Sequence, residues 1–227
     1  MIYRILILLV ITACSAIAAD GDKKEQEIGG KKAAAFTCHS LTPETADAVV
    51  ALIVESNKTA TNPQIVDPAG IVKNQLARIA AGNAYHLMAF CKGDVVQAAM
   101  IQGQMPKAGY KVGEHDRVIA IFAELLTVAK DPAPFGFSTM VPVFANDVDE
   151  GGRTEVYQTM MLLNKDLAKQ GKTLPQASAG LLPCQLLVLL HPDHRDVDLL
   201  VALGFVNRGN YPEFYGAARL LLSYPLV

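Results

Sequence analysis

The sequence lacks an excess of charge of either sign. Its 227 residues contain 20 Lys and Arg against 22 Asp and Glu, which leaves a formal net charge of −2. No long run of Lys or Arg supplies a positive field, so we expect no nucleic-acid partner. With 51% apolar and 19% charged residues, the composition also excludes wholesale disorder. The chain is long enough to bury a large core without covalent staples.

Cysteines are few and widely spaced. After Cys14 only Cys38, Cys91 and Cys184 follow. At most one disulfide can form among these three, and three reduced, buried thiols are an equal alternative. No Cys-x-x-Cys motif occurs, so the sequence lacks the spacing of zinc sites and of thioredoxin-type sites. We therefore predict no metal site.

Residues 1–19 have the order of a secretory signal, in which Arg4 precedes an uncharged apolar run that ends in small residues. The run, 5–19, is shorter than the about 20 residues that a spanning helix needs. We predict a cleaved signal peptide and a secreted or periplasmic protein. Lipidation of Cys14, in a lipobox-like Ile-Thr-Ala-Cys, and an uncleaved anchor remain alternatives that would attach the protein to a membrane. The polar segment 20–32 is typical of a solvated tether.

Residues 33–227 predict one mixed α/β domain. Helices are expected where apolar residues recur every three or four positions, and strands where short apolar runs end at turn residues. The predicted helices cover 43–57, 153–170 and 193–203, and another opens at Asp67-Pro68 and stops at Gly82. The predicted strands cover 33–41, 85–91, 95–104, 117–129, 184–190 and 217–227, and 130–152 is expected to be an insertion-like stretch.

Four segments in this order carry a family resemblance. They are FTCHSLTPETADAVVALIVES, the hairpin YHLMAFCKGDVVQAAMIQG, the helix 153–171 with its Gln-Gly end, and LLVLLHPDHRDVDLLVALGF. Together they span nearly all of 36–227 and resemble the GNAT superfamily of N-acetyltransferases. The resemblance implies an α/β fold with a central, mostly antiparallel sheet and about four helices. It also implies transfer of an acetyl group from acetyl-CoA, as co-substrate, to an amine of a small molecule or peptide.

The resemblance also implies a site for the pyrophosphate of acetyl-CoA. The family has a loop of the form Gln/Arg-x-x-Gly-x-Gly/Ala before its third helix, and the matching text here is DVDEGGRTE, 147–155. Gly151, Gly152 and Arg153 are therefore the candidate cofactor-binding residues, because helix N-terminal N–H groups and a guanidinium both favour an anion. The glycines are adjacent rather than alternating, and three acidic residues precede them. An acidic turn that merely caps the helix is the alternative.

Catalytic candidates come from two predicted segments. The family often has a tyrosine on its fourth helix that protonates the leaving thiolate, and the matching position is Leu200, which cannot donate a proton. Tyr215, which shares the predicted loop NYPEFYG with Tyr211, is the candidate acid in its place. Glu124, in the apolar strand 117–129, is the candidate general base, because apolar surroundings raise the pKa of a carboxyl group. A solvent-facing Glu124 and a packing role for both tyrosines are the alternatives.

A third cluster, HPDHRD at 191–196, follows a predicted strand. His and carboxylate groups there can act as acid and base or bind a metal, although the spacing matches no metal motif. A helix start capped by Asp193 is the alternative.

Two functions therefore remain open. The first is an N-acetyltransferase, and the second is a catalytically inactive GNAT-fold binding module exported to the periplasm or exterior. A hydrolase is not supported, because the sequence contains no Gly-x-Ser-x-Gly motif.

Overall fold

The computed structural model describes residues 35–60, 65–81, 87–106, 135–169, 182–214 and 217–226. Within these ranges the strands are β1 (Thr37–Ser40), β2 (Leu87–Lys92), β3 (Val95–Pro106), β4 (Phe135–Phe144), β5 (Leu182–Leu190), β6 (Val206–Phe214) and β7 (Ala217–Pro225). The helices are α1 (Pro43–Thr59), α2 (Pro68–Ala80), α3 (Glu150–Lys169) and α4 (Val197–Ala202).

The strands form a single sheet in the order β1-β2-β3-β4-β5-β7-β6. Every neighbouring pair is antiparallel except β4 and β5, which are parallel. A parallel pair needs a crossover connection, and α3 lies in the chain between these two strands. The predicted α/β class, with a mostly antiparallel sheet and about four helices, is confirmed.

Local chemistry places the first two helices where the sequence predicted them. α1 starts at Pro43, and the backbone N–H of Thr42 donates to the Thr45 hydroxyl at 3.1 Å. α2 starts at Pro68, and the Asp67 carboxylate accepts a hydrogen bond from the N–H of Gly70 at 2.9 Å. Both starts combine a capping side chain with proline at the first helical position, where its missing N–H costs nothing.

Each face of the sheet carries its own hydrophobic core. α3 and α4 cover one face, where their apolar side chains contact alternate residues of the central strands. α1 and α2 cover the other face and contact the intervening residues of β2, β3 and β4. The division follows from the period of two along a strand, which sends successive side chains to opposite faces. Met88, Phe90, Met100, Met140 and Val188 lie in the first core, and Leu87, Ala89, Ala99, Ile101 and Val143 lie in the second.

The prediction that 130–152 is an insertion-like stretch was wrong. β4 occupies Phe135–Phe144, and α3 begins at Glu150 instead of at 153. Pro142 lies within β4, opposite Met100 of β3. The strand predicted over 117–129 lies outside the described residues.

The loop prediction for NYPEFYG was also wrong. Tyr211 and Pro212 lie in β6, which is an edge strand of the described sheet. Proline is tolerated in such an edge strand because one side of the strand needs no ladder hydrogen bonds. The helix predicted over 193–203 starts later, at Val197, since 191–196 form successive turns.

The predicted signal segment 1–19 and tether 20–32 lie outside the described residues. Of the helices that the structure describes, none has the length and hydropathy needed to cross a bilayer.

Candidate functional site

The sheet separates between its two parallel strands. Their pairing ends at Met140 and Val188, although β4 continues to Phe144 and β5 to Leu190. Beyond that point β4 still pairs with β3 and β5 still pairs with β7, so the two halves of the sheet part at the carboxyl ends of β4 and β5. Pro142 lies just past the last pair and has no N–H to extend the ladder. Crevices at the carboxyl ends of parallel strands are common ligand sites.

Helix α3 begins directly beyond the end of β4, and its first turn is capped by the protein itself. Asp149 precedes the helix, and its Oδ1 accepts a hydrogen bond from the N–H of Gly152 at 2.7 Å. The N–H of Arg153 donates to the backbone oxygen of Asp149 at 3.0 Å. An anion therefore already occupies part of the positive end of this helix.

The two glycines of this turn differ in the space around them. A Cβ on Gly151 would meet only Asp149 Oδ1, at 3.6 Å. Gly152 is buried, and a Cβ there would approach Val148 Cγ1 at 3.1 Å and a Phe36 ring carbon at 3.2 Å. Gly151 thus faces open space, whereas Gly152 lies under the side chains of Phe36, Val148 and Asp149.

Arg153 points into the protein. Its Nη1 donates to the backbone oxygen of Val148 at 2.6 Å, and its Nε lies 2.7 Å from Oδ1 of Asp196. That N–H does not point along the Nε–Oδ1 line, so the contact is an ion pair without a well-formed hydrogen bond. The Asp196 side chain has no exposed surface and that of Arg153 is 11% exposed. Since a buried carboxylate is costly without a cation, Arg153 is the group that neutralises Asp196.

Tyr157 completes this arrangement. Its hydroxyl donates to Oδ2 of Asp196 at 2.9 Å, and its ring meets that of Phe144 edge-on with centroids 5.5 Å apart. Burial, and then the neighbouring Asp196 charge, raise the pKa of Tyr157 well above its ordinary value. We call Arg153, Tyr157 and Asp196 the buried triad. It ties the first turns of α3 to the turn that precedes α4.

Sequence reasoning missed this triad. Arg153 and Tyr157 are four residues apart and therefore share one face of α3, which was a usable signal. Their partner, Asp196, belongs to the HPDHRD cluster that was considered only as a helix start or an acid–base site.

Both histidines of that cluster use Nδ1 as an acceptor. His191 Nδ1 accepts from the N–H of Asp193, and His194 Nδ1 accepts from the N–H of Asp196, each at 3.2 Å. These hydrogen bonds assign the proton of each neutral ring to Nε2. Burial is the main cause that lowers the pKa of His194, Asp196 opposes it, and Arg195, Arg153 and His191 add to it. In the described ranges, no three His, Cys, Asp or Glu side chains group as a metal ion would require.

Solved structures of GNAT acetyltransferases match most of this chain. A GNAT-family acetyltransferase from Streptococcus pneumoniae has a TM-score of 0.55 at 10% sequence identity and covers 84% of this chain and 98% of its own. The chain has the GNAT fold. The protein yncA from Salmonella typhimurium, assigned as an acetyltransferase and solved with its cofactor acetyl-CoA, gives 0.53 at 11% identity and covers 85% and 95%. FeeM, an N-acyl amino acid synthase from uncultured soil microbes, gives 0.50 at 11% identity and covers 84% and 91%.

These similarities are found in the fold and not in the sequence. No protein-family model and no curated protein sequence matches the chain.

Within the GNAT fold, the three candidate cofactor residues come together in the first turn of α3. Gly151 is open, Gly152 is covered, and Arg153 is engaged with Asp196. Their role in cofactor binding stays a prediction. The two catalytic candidates, Glu124 and Tyr215, lie outside the described residues and also stay predictions. Leu200, at the family's tyrosine position, is fully buried in the core.

Proposed function

We propose that this protein binds acetyl-CoA in the opening between β4 and β5 and transfers its acetyl group to an amine of a small molecule or peptide. The observation that carries the proposal is the end of β4–β5 pairing at Met140 and Val188, next to the start of α3. The same fold in yncA, which was solved with acetyl-CoA, supports the proposed donor.

The opening suits an extended donor. Strand edges bind extended chains through their backbone N–H and C=O groups. The edge of β4 from Val141 to Phe144 lies beyond the last pair with β5. The pantetheine arm of CoA is extended and carries two amides, so it is a suitable partner for this edge.

The proposed reaction is a direct displacement. The amine nitrogen attacks the thioester carbonyl, the C–N bond forms and the C–S bond breaks, so that the amine loses a proton and the thiolate gains one. We propose Glu124 as the base and Tyr215 as the acid, from the sequence alone. Tyr157 does not suit the acid role, because its hydroxyl is buried and already donates to Asp196.

The first turn of α3 does not fit the diphosphate of CoA. Asp149 holds the N–H of Gly152, side chains cover Gly152, and Arg153 is paired with Asp196. No step of the proposed reaction depends on a diphosphate at this position.

The poor fit of the first turn of α3 to a diphosphate favours a second candidate, an inactive binding module with the GNAT fold. Leu200 in place of the family tyrosine favours this candidate as well.

For both candidate functions, export rests on the predicted signal in residues 1–19. N-terminal sequencing of the protein purified from its native host tests this prediction. A terminus near residue 20 would support export, and an intact Met1 would contradict cleavage.

Calorimetric titration of the full chain with acetyl-CoA and with free CoA tests the donor. Micromolar binding would support the proposal, and no heat at millimolar ligand would contradict it. A transfer assay against a panel of amines, read by thiol release, then tests catalysis. Glu124→Gln and Tyr215→Phe should each lower kcat, with Glu55→Gln on the exposed surface of α1 as the matched control. Unchanged kcat in both site variants would remove these two residues from the mechanism.

A further inference from the structure

The start of helix α3 provides evidence about which part of an acyl donor this protein recognises. The inference rests on the proposed function, because it concerns the donor of that same reaction. Its starting point is the internal cap, in which Asp149 Oδ1 lies 2.7 Å from the N–H nitrogen of Gly152. A ligand phosphate would have to displace this carboxylate to reach the same N–H.

The packing around Gly152 adds a steric reason. Gly152 is buried, and a Cβ added to it would meet Val148 at 3.1 Å and Phe36 at 3.2 Å. Side chains therefore close the Cβ side of this glycine, and the Asp149 carboxylate closes its N–H side.

The local charge gives a third reason. Asp147, Asp149 and Glu150 are exposed around the helix start. The nearest cation on the helix, Arg153, is directed to buried Asp196 and does not offset them. An approaching diphosphate thus meets three carboxylates at the end of the helix that would otherwise attract it.

We infer that Asp149 is a specificity-determining residue, through which the donor site recognises the acylated pantetheine arm and gains no affinity from the phosphate attached to it. The substrate class is an acyl-pantetheine thioester. Acetyl-CoA serves as such a donor by virtue of its arm, and a donor without the nucleotide serves equally well.

Two probes that differ only in the phosphate test the inference. They are S-acetyl-pantetheine and its 4′-phosphate ester, titrated into the full chain by calorimetry, with acetyl-CoA as a third ligand. For the wild type we expect the two dissociation constants to agree within about a factor of three. For Asp149→Ser, which keeps a capping hydroxyl and removes the charge, the phosphate ester should bind about 2- to 30-fold tighter than the unphosphorylated arm.

Helix α2 offers the matched control. Asp67 caps it as Asp149 caps α3, with its carboxylate on the N–H of a glycine three residues later, but on the opposite face of the sheet. Asp67→Ser should therefore leave the ratio of the two affinities at its wild-type value.

Each outcome decides a different question. A wild-type preference of tenfold or more for the phosphate ester would overturn the inference, with no variant needed, and leave the proposed function standing. An unchanged ratio in folded Asp149→Ser would overturn the role of Asp149. No binding of any of the three thioesters by the wild type would contradict the proposed function itself.

Discussion

The buried side chain of Asp196 links the turn before α4 to helix α3, through Arg153 and Tyr157. Its carboxylate has no exposed surface, yet it faces a guanidinium on one oxygen and a phenol on the other. Desolvating a carboxylate costs several kcal/mol, and the contacts with both partners offset that cost. The network also explains why Arg153 does not project from the first turn of α3 toward solvent.

Replacing Arg153 with methionine should be strongly destabilising, because it leaves the Asp196 charge buried without a cation. We expect the free energy of unfolding to fall by about 3–5 kcal/mol, measured by urea denaturation. Lys58→Met removes a cation from an exposed ion pair with Glu55 and should cost less than about 1 kcal/mol. A loss of the same size in both variants would show that the buried triad contributes no more than a surface pair.

His194 should make the stability of the protein depend on pH. Burial lowers the pKa of this group, so the folded state binds its proton less readily than the unfolded state does. Its contribution is complete above the ordinary histidine pKa of about 6.5 and is lost as the pH falls through the lowered pKa. We expect His194→Gln to lose less stability than the wild type between about pH 7 and pH 5, measured by urea denaturation at each pH. Parallel pH profiles would contradict this account.

At the scale of elements, the backbone conformation shows where glycine is needed and where it is not. The β2–β3 hairpin turns at Gly93, which has a positive φ of 59°. A side chain in that region is strained even though nothing lies within 4 Å of the added carbon. Gly151 presents the opposite case, since it lies in a helix, where glycine is a weak former.

Alanine at these two glycines should therefore change stability in opposite directions. Gly93→Ala should lower the free energy of unfolding by about 1–2 kcal/mol, and Gly151→Ala should raise it by up to about 1 kcal/mol. Chemical denaturation of both variants and the wild type measures the pair. If both substitutions destabilise, the space around Gly151 is tighter than its 3.6 Å contact with Asp149 indicates.

At the scale of the whole molecule, one sheet separates two hydrophobic cores. Ile53 of α1 and Leu186 of β5 are both fully buried, one in each core. The strands between the cores belong to both, because alternate residues of the same strand point to opposite faces. The two cores should therefore unfold together.

Truncating either core should destabilise the entire domain. We expect Ile53→Ala and Leu186→Ala each to lower the free energy of unfolding by about 2–5 kcal/mol. Each should still unfold in one transition, with circular dichroism and tyrosine fluorescence giving the same midpoint. Separate midpoints in either variant would mean that the two cores unfold independently.

The sequence by itself determined the parts of this protein that depend on neighbouring residues. The starts of α1 and α2 at Pro43 and Pro68, and the hairpin at Gly93, follow from the conformational limits of proline and glycine and from a capping side chain. The order of the predicted elements, together with four of their segments, gave the resemblance to the GNAT superfamily, and the GNAT fold of the chain confirms that resemblance. The resemblance placed Gly151 and Gly152 in a loop just before helix α3, whereas they lie in its first turn.

Only the tertiary structure decided the rest. The insertion predicted over 130–152 and the loop predicted at NYPEFYG both contain strand residues, among them Pro142 and Pro212. Whether a strand accepts proline depends on which of its edges is paired, and that is set by other strands. The resemblance made Arg153 a candidate for binding phosphate, and the structure pairs it with Asp196, which is distant along the chain. A buried charged side chain pairs with the opposite charge that folding brings close to it, because the attraction is strong where the dielectric constant is low. The residues next to it in the sequence do not identify that partner.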